Sequence, residues 1–197
     1  MAGRATLRLA NAPLLPFDFV GFADNVALYI EELEALIKNM RQETRIHNAQ
    51  LDEGVFELAL DPTKSLQAPT RKAEVPHLNF APLKNALGRL QIAAEKYDRT
   101  SGNKMLSAED QVKVNQMLYL TERKLTRPHG LTGRSWYKHH IYAPGFYTGY
   151  GVKTIPGVRE AIEVRQFDEA NKQVTIAAEV LDSLSMQIRA ILKFTEM

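Results

Sequence analysis

The chain contains no cysteine among its 197 residues, which excludes a disulfide framework and thiolate metal sites and leaves the redox compartment open. It also lacks a dominant charge: 25 Lys and Arg against 23 Asp and Glu leave a formal +2. Any charged partner must therefore be met by local clustering rather than by a global field. No apolar run approaches the roughly 20 residues of a membrane-spanning helix. The opening "MAGRATLRLANAPLLPF" has no unbroken apolar core of the kind a signal peptide carries. Direct membrane insertion is not expected, and the fragment reads as soluble. No Asn-x-Ser/Thr acceptor, internal repeat or low-complexity run is present. One absence is local: no aspartate or glutamate occurs between Glu122 and Glu160.

What is present is helical spacing. The chain is 45% hydrophobic and 24% charged, which suits a single domain over 1–197 with its own core. Residues 1–17 alternate briefly at Ala5, Leu7 and Leu9 before Pro13 and Pro16, predicting a short strand or extended lead-in. From Asp18, a candidate N-cap, Phe22, Val26, Tyr29, Leu33, Leu36 and Met40 recur at steps of three and four. This predicts a long helix ending near Arg45. Pro62, Pro69, Pro76 and Gly54 predict a long loop over 47–79, with "VFELAL" as a short helix or strand inside it. A second helix follows Asn79, with Pro82 in its first turn and Leu83, Leu87, Leu90, Ala94 and Tyr97 on one face. After the turn "RTSGNK", Ser107 and Asp110 resemble a capping box opening a third helix that carries Val114, Met117, Leu118 and Leu125. A short helix runs from Pro156 to about Gln166.

The last helix begins near Asp168. Its stripe Val174, Ala177, Leu181, Leu184, Ile188 and Ile191 steps by three and four in alternation, as in bundles and coiled coils. That seam serves either the chain's own core or a homodimer interface. Four substantial helices and almost no strand predict an all-α fold, an up-and-down four-helix bundle with one long aromatic-rich connection.

That connection, 127–157, holds "SWYKHHIYAPGFYTGYGVKTIPG", with six aromatics, four glycines and two prolines. None of His47, His77, His129, His139 and His140 forms an HxxxH or HExxH pair, and adjacent histidines point to opposite sides of an extended chain, so no metal site is expected. Without a carboxylate the segment has no acid–base pair, and "GFYTGYG" is neither a P-loop nor a dinucleotide fingerprint. A paired-carboxylate mechanism is thereby excluded from the segment, which leaves His139, His140 and several tyrosines as isolated acid–base candidates. Arg123, Lys124, Arg127, Arg134, Lys138, Lys153 and Arg159 lie among these aromatics. They line either a pocket for an anionic group or a packed loop with solvated cations around it. Nucleic-acid binding is not expected from a near-neutral chain.

The blocks "LANAPLLPFD" (Leu9 to Asp18), "ERKLTRPHGLTGRSWYKHHIYAP" (Glu122 to Pro144) and the later Tyr150 and "PG" (Pro156-Gly157) resemble the C-terminal domain of the glutamate carboxypeptidase II and transferrin receptor family. The likeness runs from about Gly3 to the C-terminus. It implies a helical, transferrin receptor-like dimerisation domain that pairs two copies of a larger protein. That protein would also carry a zinc-peptidase domain and a protease-associated domain, as a membrane-anchored ectodomain facing the exterior or a vacuolar or secretory lumen. The resemblance places zinc and the catalytic glutamate in the peptidase domain, so it implies no cofactor and no catalytic residue in this chain and no peptidase activity from it alone. It further implies that the turn after "IYAP" forms part of a substrate pocket. By alignment Tyr150 falls on the family's pocket tyrosine and Gly149 on its lysine, so the hydroxyl is kept and the charge is lost. His139 matches the histidine before "IYAP", a position outside the zinc ligands, and Tyr142 the tyrosine within it. The alternative under the same resemblance is a non-catalytic, receptor-type binding protein.

Overall fold

In a computed structural model of the chain, residues 2–58, 69–101, 106–146, 148 and 151–196 are described. They form a mostly helical fold: α1 (Ala2–Asn11), α2 (Phe19–Asp52), α3 (Val55–Leu58), α4 (Ala81–Ser101), α5 (Ala108–Tyr119), a 3-10 turn (Thr121–Leu125), the strands β1 (Tyr142–Pro144) and β2 (Val152–Thr154), α6 (Pro156–Glu163) and α7 (Phe167–Glu196). Part of the expected 47–79 loop (59–68) and residues 102–104 of the expected turn lie outside the described residues.

Caps set the helix starts. Asp18 accepts the Gly21 N–H at 2.8 Å and opens α2. Ser107 accepts the Asp110 N–H at 3.1 Å and donates its hydroxyl to the Asp110 carboxylate at 2.8 Å, opening α5. The Asn79 side chain accepts the Ala81 N–H at 3.0 Å at the head of α4. Each satisfies a donor that the first helical turn leaves without a partner.

Two expectations are corrected. The N-terminal strand is instead the helix α1. Alternation at three positions is outweighed by a run of Ala, Arg and Leu, good helix formers, with the first proline falling beyond the helix end. Helix α2 continues to Asp52 rather than ending near Arg45, so the expected 47–79 loop is shorter. Past Met40 the buried face turns polar, and this hides the helix from an apolar count. Thr44 and Asn48 are buried, and the Asn48 amide bonds both the N–H and the C=O of Lys72, at 3.0 and 2.9 Å. The helix stops where Gly54 turns left-handed, at φ +69°.

Side-chain pairs fix the helix directions. Phe19 meets the Tyr97 ring edge-on at 5.0 Å, and Glu34 pairs with Lys84, so α2 and α4 run antiparallel. Asn79 pairs with Asn171, Arg89 with Asp182 and Thr100 with Thr195, so α4 and α7 run parallel and in register. Gln187 donates to the Met117 carbonyl and Arg127 pairs with Glu179, so α5 and the chain after it run back along α7. Helix α7 therefore sits between α4 and α5, with α2 on the far side of α4. All six stripe residues of α7 are at most 2% exposed, packed in one cluster with Leu33, Leu83 and Leu90. Burying each large apolar side chain is worth about 1.5–3 kcal/mol, and this seam is the centre of the core.

Candidate functional site

Among its described residues, the stretch from Glu122 to Glu160 is folded into short bonded pieces rather than a free loop. Residues 126–139 fold back on themselves through the bridges Thr126 to His139 and Leu131 to Arg134. The bonds Arg127 N–H to Lys138 C=O (2.9 Å) and Leu131 N–H to Tyr137 C=O (2.8 Å) close it. Gly130 sits at φ +63°, where a Cβ would fall 2.2 Å from the Ser135 carbonyl oxygen, so only glycine fits. Strands β1 and β2 then pair antiparallel, Tyr142 opposite Thr154. The Ile155 N–H to Ile141 C=O bond (2.7 Å) joins their base to the core, where both side chains are buried.

The keystone is Arg134, whose side chain is 3% exposed. It donates from one nitrogen to both oxygens of Glu160, at 2.7 and 2.8 Å, and from another to the Pro144 carbonyl. Its guanidinium lies against the Tyr137 and Phe146 rings at 5.3 and 5.7 Å. Glu160 also accepts the Phe146 N–H at 2.8 Å, which fixes the start of the turn after β1 to α6. A paired and hydrogen-bonded buried charge of this kind is costly to break on one side, because the other is left without a counterion.

Three more cations of the segment find carboxylates outside it. Arg127 pairs with Glu179 on α7, Lys153 with Glu163 on α6 at 2.7 Å, and Arg159 with Glu32 on α2 at 2.5 Å. Of the two readings of these cations, the packed loop describes Arg127, Arg134, Lys153 and Arg159. The arrangement escaped sequence reasoning because the partners are distant in sequence. The available signal was the absence of carboxylates itself: with seven cations in 37 residues and no local carboxylate, any of them that is buried takes its partner from elsewhere in the fold.

The two histidines part company. The Nδ1 of His139 accepts the N–H groups of Ile141 and Tyr142, both at 3.2 Å, so the neutral ring carries its proton on Nε2. That Nε2 lies 3.1 Å from Glu122 Oε1, close enough for attraction but outside hydrogen-bond geometry. Tyr142 stacks on the His139 ring at 4.2 Å and donates its hydroxyl to the same Glu122 oxygen at 2.8 Å. Burial lowers the His139 pKa against the opposing pull of Glu122. Burial and the bond to Glu122 push the Tyr142 hydroxyl up to about 12. His140 instead points inward, and its Nε2 has no hydrogen-bond partner among the described residues. Burial first, then the charge of Arg127, lowers its pKa to about 4, so it is neutral at physiological pH.

His139, Tyr142 and Glu122 thus form one surface cluster. Gly149 and Tyr150 lie outside the described residues, as does Tyr147. The described neighbours of that turn are held from both sides: the Gly145 N–H bonds the Gly151 carbonyl at 2.8 Å and the Gly151 N–H the Thr148 carbonyl at 3.2 Å. The six stripe residues of α7 are brought together, but inside the chain rather than on its surface. Among the described residues no group of three His, Asp or Glu side chains is placed to hold a metal ion, so nothing described here fits a zinc centre.

A family model, the transferrin receptor-like dimerisation domain, matches residues 78–189. Similar proteins include the probable glutamate carboxypeptidase LAMP1 of Arabidopsis thaliana, 29% identical over 161 residues that cover 82% of this chain and 18% of that protein. The probable glutamate carboxypeptidase VP8 of Zea mays is 26% identical over 176 residues, 89% of this chain and 20% of that one. A third, the probable glutamate carboxypeptidase AMP1 of Arabidopsis thaliana, is 25% identical over 160 residues, 81% and 19% of the two chains. The chain spans about a fifth of the length of these relatives.

Proposed function

Because the chain belongs to the transferrin receptor-like dimerisation domain family, its match covering 78–189, we propose that it is the homodimerisation domain of a glutamate carboxypeptidase-like zinc-peptidase protein. The proposal includes an up-and-down bundle of α2, α4, α5 and α7, no catalysis by this chain alone, and zinc held by a peptidase domain of the parent. The peptidase and protease-associated domains are its partners within that parent, which we place at a membrane with its ectodomain outside the cell or in a lumen. Among the described residues no helix is long and apolar enough to cross a membrane.

The observation that carries self-association is the outer face of the parallel α4/α7 pair. One turn beyond the Arg89–Asp182 pair on each helix, Ile92 and Met186 are each 64% exposed at the same level. The α7 stripe is buried within the chain, so a second copy must use such an outer face. Light scattering on the eluting protein tests this: a dimer is expected, and the double variant Ile92→Glu, Met186→Glu should elute as a folded monomer. A wild-type chain that stays monomeric at high concentration, or a dimer indifferent to both changes, would refute it.

The finer part of the proposal is that the turn 145–151 forms a wall of the parent's substrate pocket, with Tyr150 supplying a hydroxyl, Gly149 lacking the lysine charge, and His139 and Tyr142 supporting its base. Support comes from the anchoring of that turn to α6 through Glu160. In the full-length parent, Tyr150→Phe should raise KM for a peptide substrate, and unchanged kinetics would reject the idea. The loss of charge at Gly149 favours one second reading, a receptor-type binding protein without catalysis. The presence or absence of zinc ligands in the parent's peptidase domain separates the two.

A further inference from the structure

Away from the site just described, a cleft of about 230 Å³ opens between the C-terminal half of α2 and the extended chain 69–76, with Arg41, Arg45 and Arg71 on its walls. Outside its lining, Arg165 donates to the Oγ of Thr44, a cleft residue, at 3.1 Å and to the Ala73 carbonyl. What these guanidiniums bind leaves their charge largely uncancelled. Arg41 donates to the Val75 and Pro76 carbonyls, at 3.2 and 2.8 Å, and so uses neutral acceptors. Arg71 pairs with Asp52 at 2.6 Å, but both side chains are more than 60% exposed and water screens that pair. Arg45, one turn beyond Arg41 on the same face of α2, has no hydrogen bond or ion pair among the described residues. Against three arginines the cleft holds two carboxylates, Asp52 and Glu74.

We propose that this cleft binds a phosphate-type oxyanion. Guanidinium forks match phosphate and carboxylate oxygens, and here they approach from α2 on one wall and from Arg71 on the other. That arrangement suits a tetrahedral group better than a planar one. The volume lies below the roughly 300–1,000 Å³ of ordinary small-molecule pockets. It therefore admits a free anion or the head group of a larger ligand, not a whole cofactor. The Asn48 clamp on Lys72 ties the two walls together through the chain's own hydrogen bonds.

The test is an NMR titration of the chain with inorganic phosphate at constant ionic strength, with chloride as the control. Saturable shifts are expected in the amides of 41–49 and 71–75, with binding weakened about tenfold or more in Arg45→Gln, a change that removes no hydrogen bond or ion pair among the described residues. Arg71→Gln, at an exposed pair, provides a second variant. A parallel titration with glycerol 3-phosphate separates the sources: comparable binding assigns the cleft to a head group, and much weaker binding to the free anion. Shifts that do not saturate, that chloride reproduces, or that persist unchanged in both variants would overturn the proposal.

Discussion

Along α7, the stripe from Val174 to Ile191 packs into a single apolar cluster in which every member is nearly inaccessible. Between Glu122 and Glu160, the buried side chains include Arg134 and His140 beside Leu125, Leu131 and Ile141. The first region is held by area removed from water, a term that is non-directional and spread over many residues. The second is held by a few directed contacts, so its geometry is specified more sharply and fails more abruptly when one partner is removed. A seam suits a scaffold, and a polar network suits a surface turn that must keep one shape.

That contrast can be broken at defined points. Arg134→Met leaves Glu160 without its partner and should destabilise the chain by about 3–5 kcal/mol. If the network is the brittle element, adding Glu160→Gln to it should recover part of the loss in urea unfolding. A double variant no better than the single one would mean that Arg134 acts mainly through packing. Leu184→Ala, in the middle of the seam, should cost roughly 3 kcal/mol. Its effect should appear as a lower unfolding midpoint with hydrogen exchange in the 145–151 turn preserved relative to the rest of the chain.

The histidines give the comparison a pH axis. His140 has its folded pKa lowered to about 4 from an ordinary 6.5, so between those values the unfolded chain binds more protons than the folded one. Stability is then fully present above pH 6.5 and is lost as pH falls toward 4, by on the order of 1–3 kcal/mol. His139, also lowered by burial, acts with the same sign. Unfolding measured from pH 7.5 down to 4 should show this slope, and His140→Phe should flatten it, while the seam variant Leu184→Ala should shift the whole curve and leave the slope unchanged. The smallest effect is at a cap: Ser107→Ala should cost about 1 kcal/mol and raise amide exchange in the first turn of α5. A loss several times larger would show that α5 is more weakly tied to α7 than its contacts indicate.

The elements that could be read in advance are those whose signals lie within a few residues of one another. Asp18, Asn79 and Ser107 sit three or fewer positions from the N–H groups they cap, and the α7 stripe repeats within each turn. Where the reading erred, the local signal was ambiguous or polar. Ala5, Leu7 and Leu9 fit strand alternation as well as helix, and propensity decided for α1. The last turns of α2 bury Thr44 and Asn48, which no apolar periodicity can register. Of the candidate site, the composition exposed the missing carboxylates but not where the replacements come from.

Sequence alone determined the long helices, most of their starts and the faces they bury, because capping bonds and helical periodicity act over one to four residues. It also carried the family likeness of the blocks around Glu122 to Pro144. Only the tertiary structure decided that Arg134 belongs to Glu160, 26 residues away, and Arg159 to Glu32, 127 residues away. Only the tertiary structure turned His139 toward Glu122 and His140 into the interior, and placed the α7 stripe inside one chain. Those outcomes depend on which surfaces meet when helices pack, and a pairing between charges that distant in sequence exists only once the fold has brought them together.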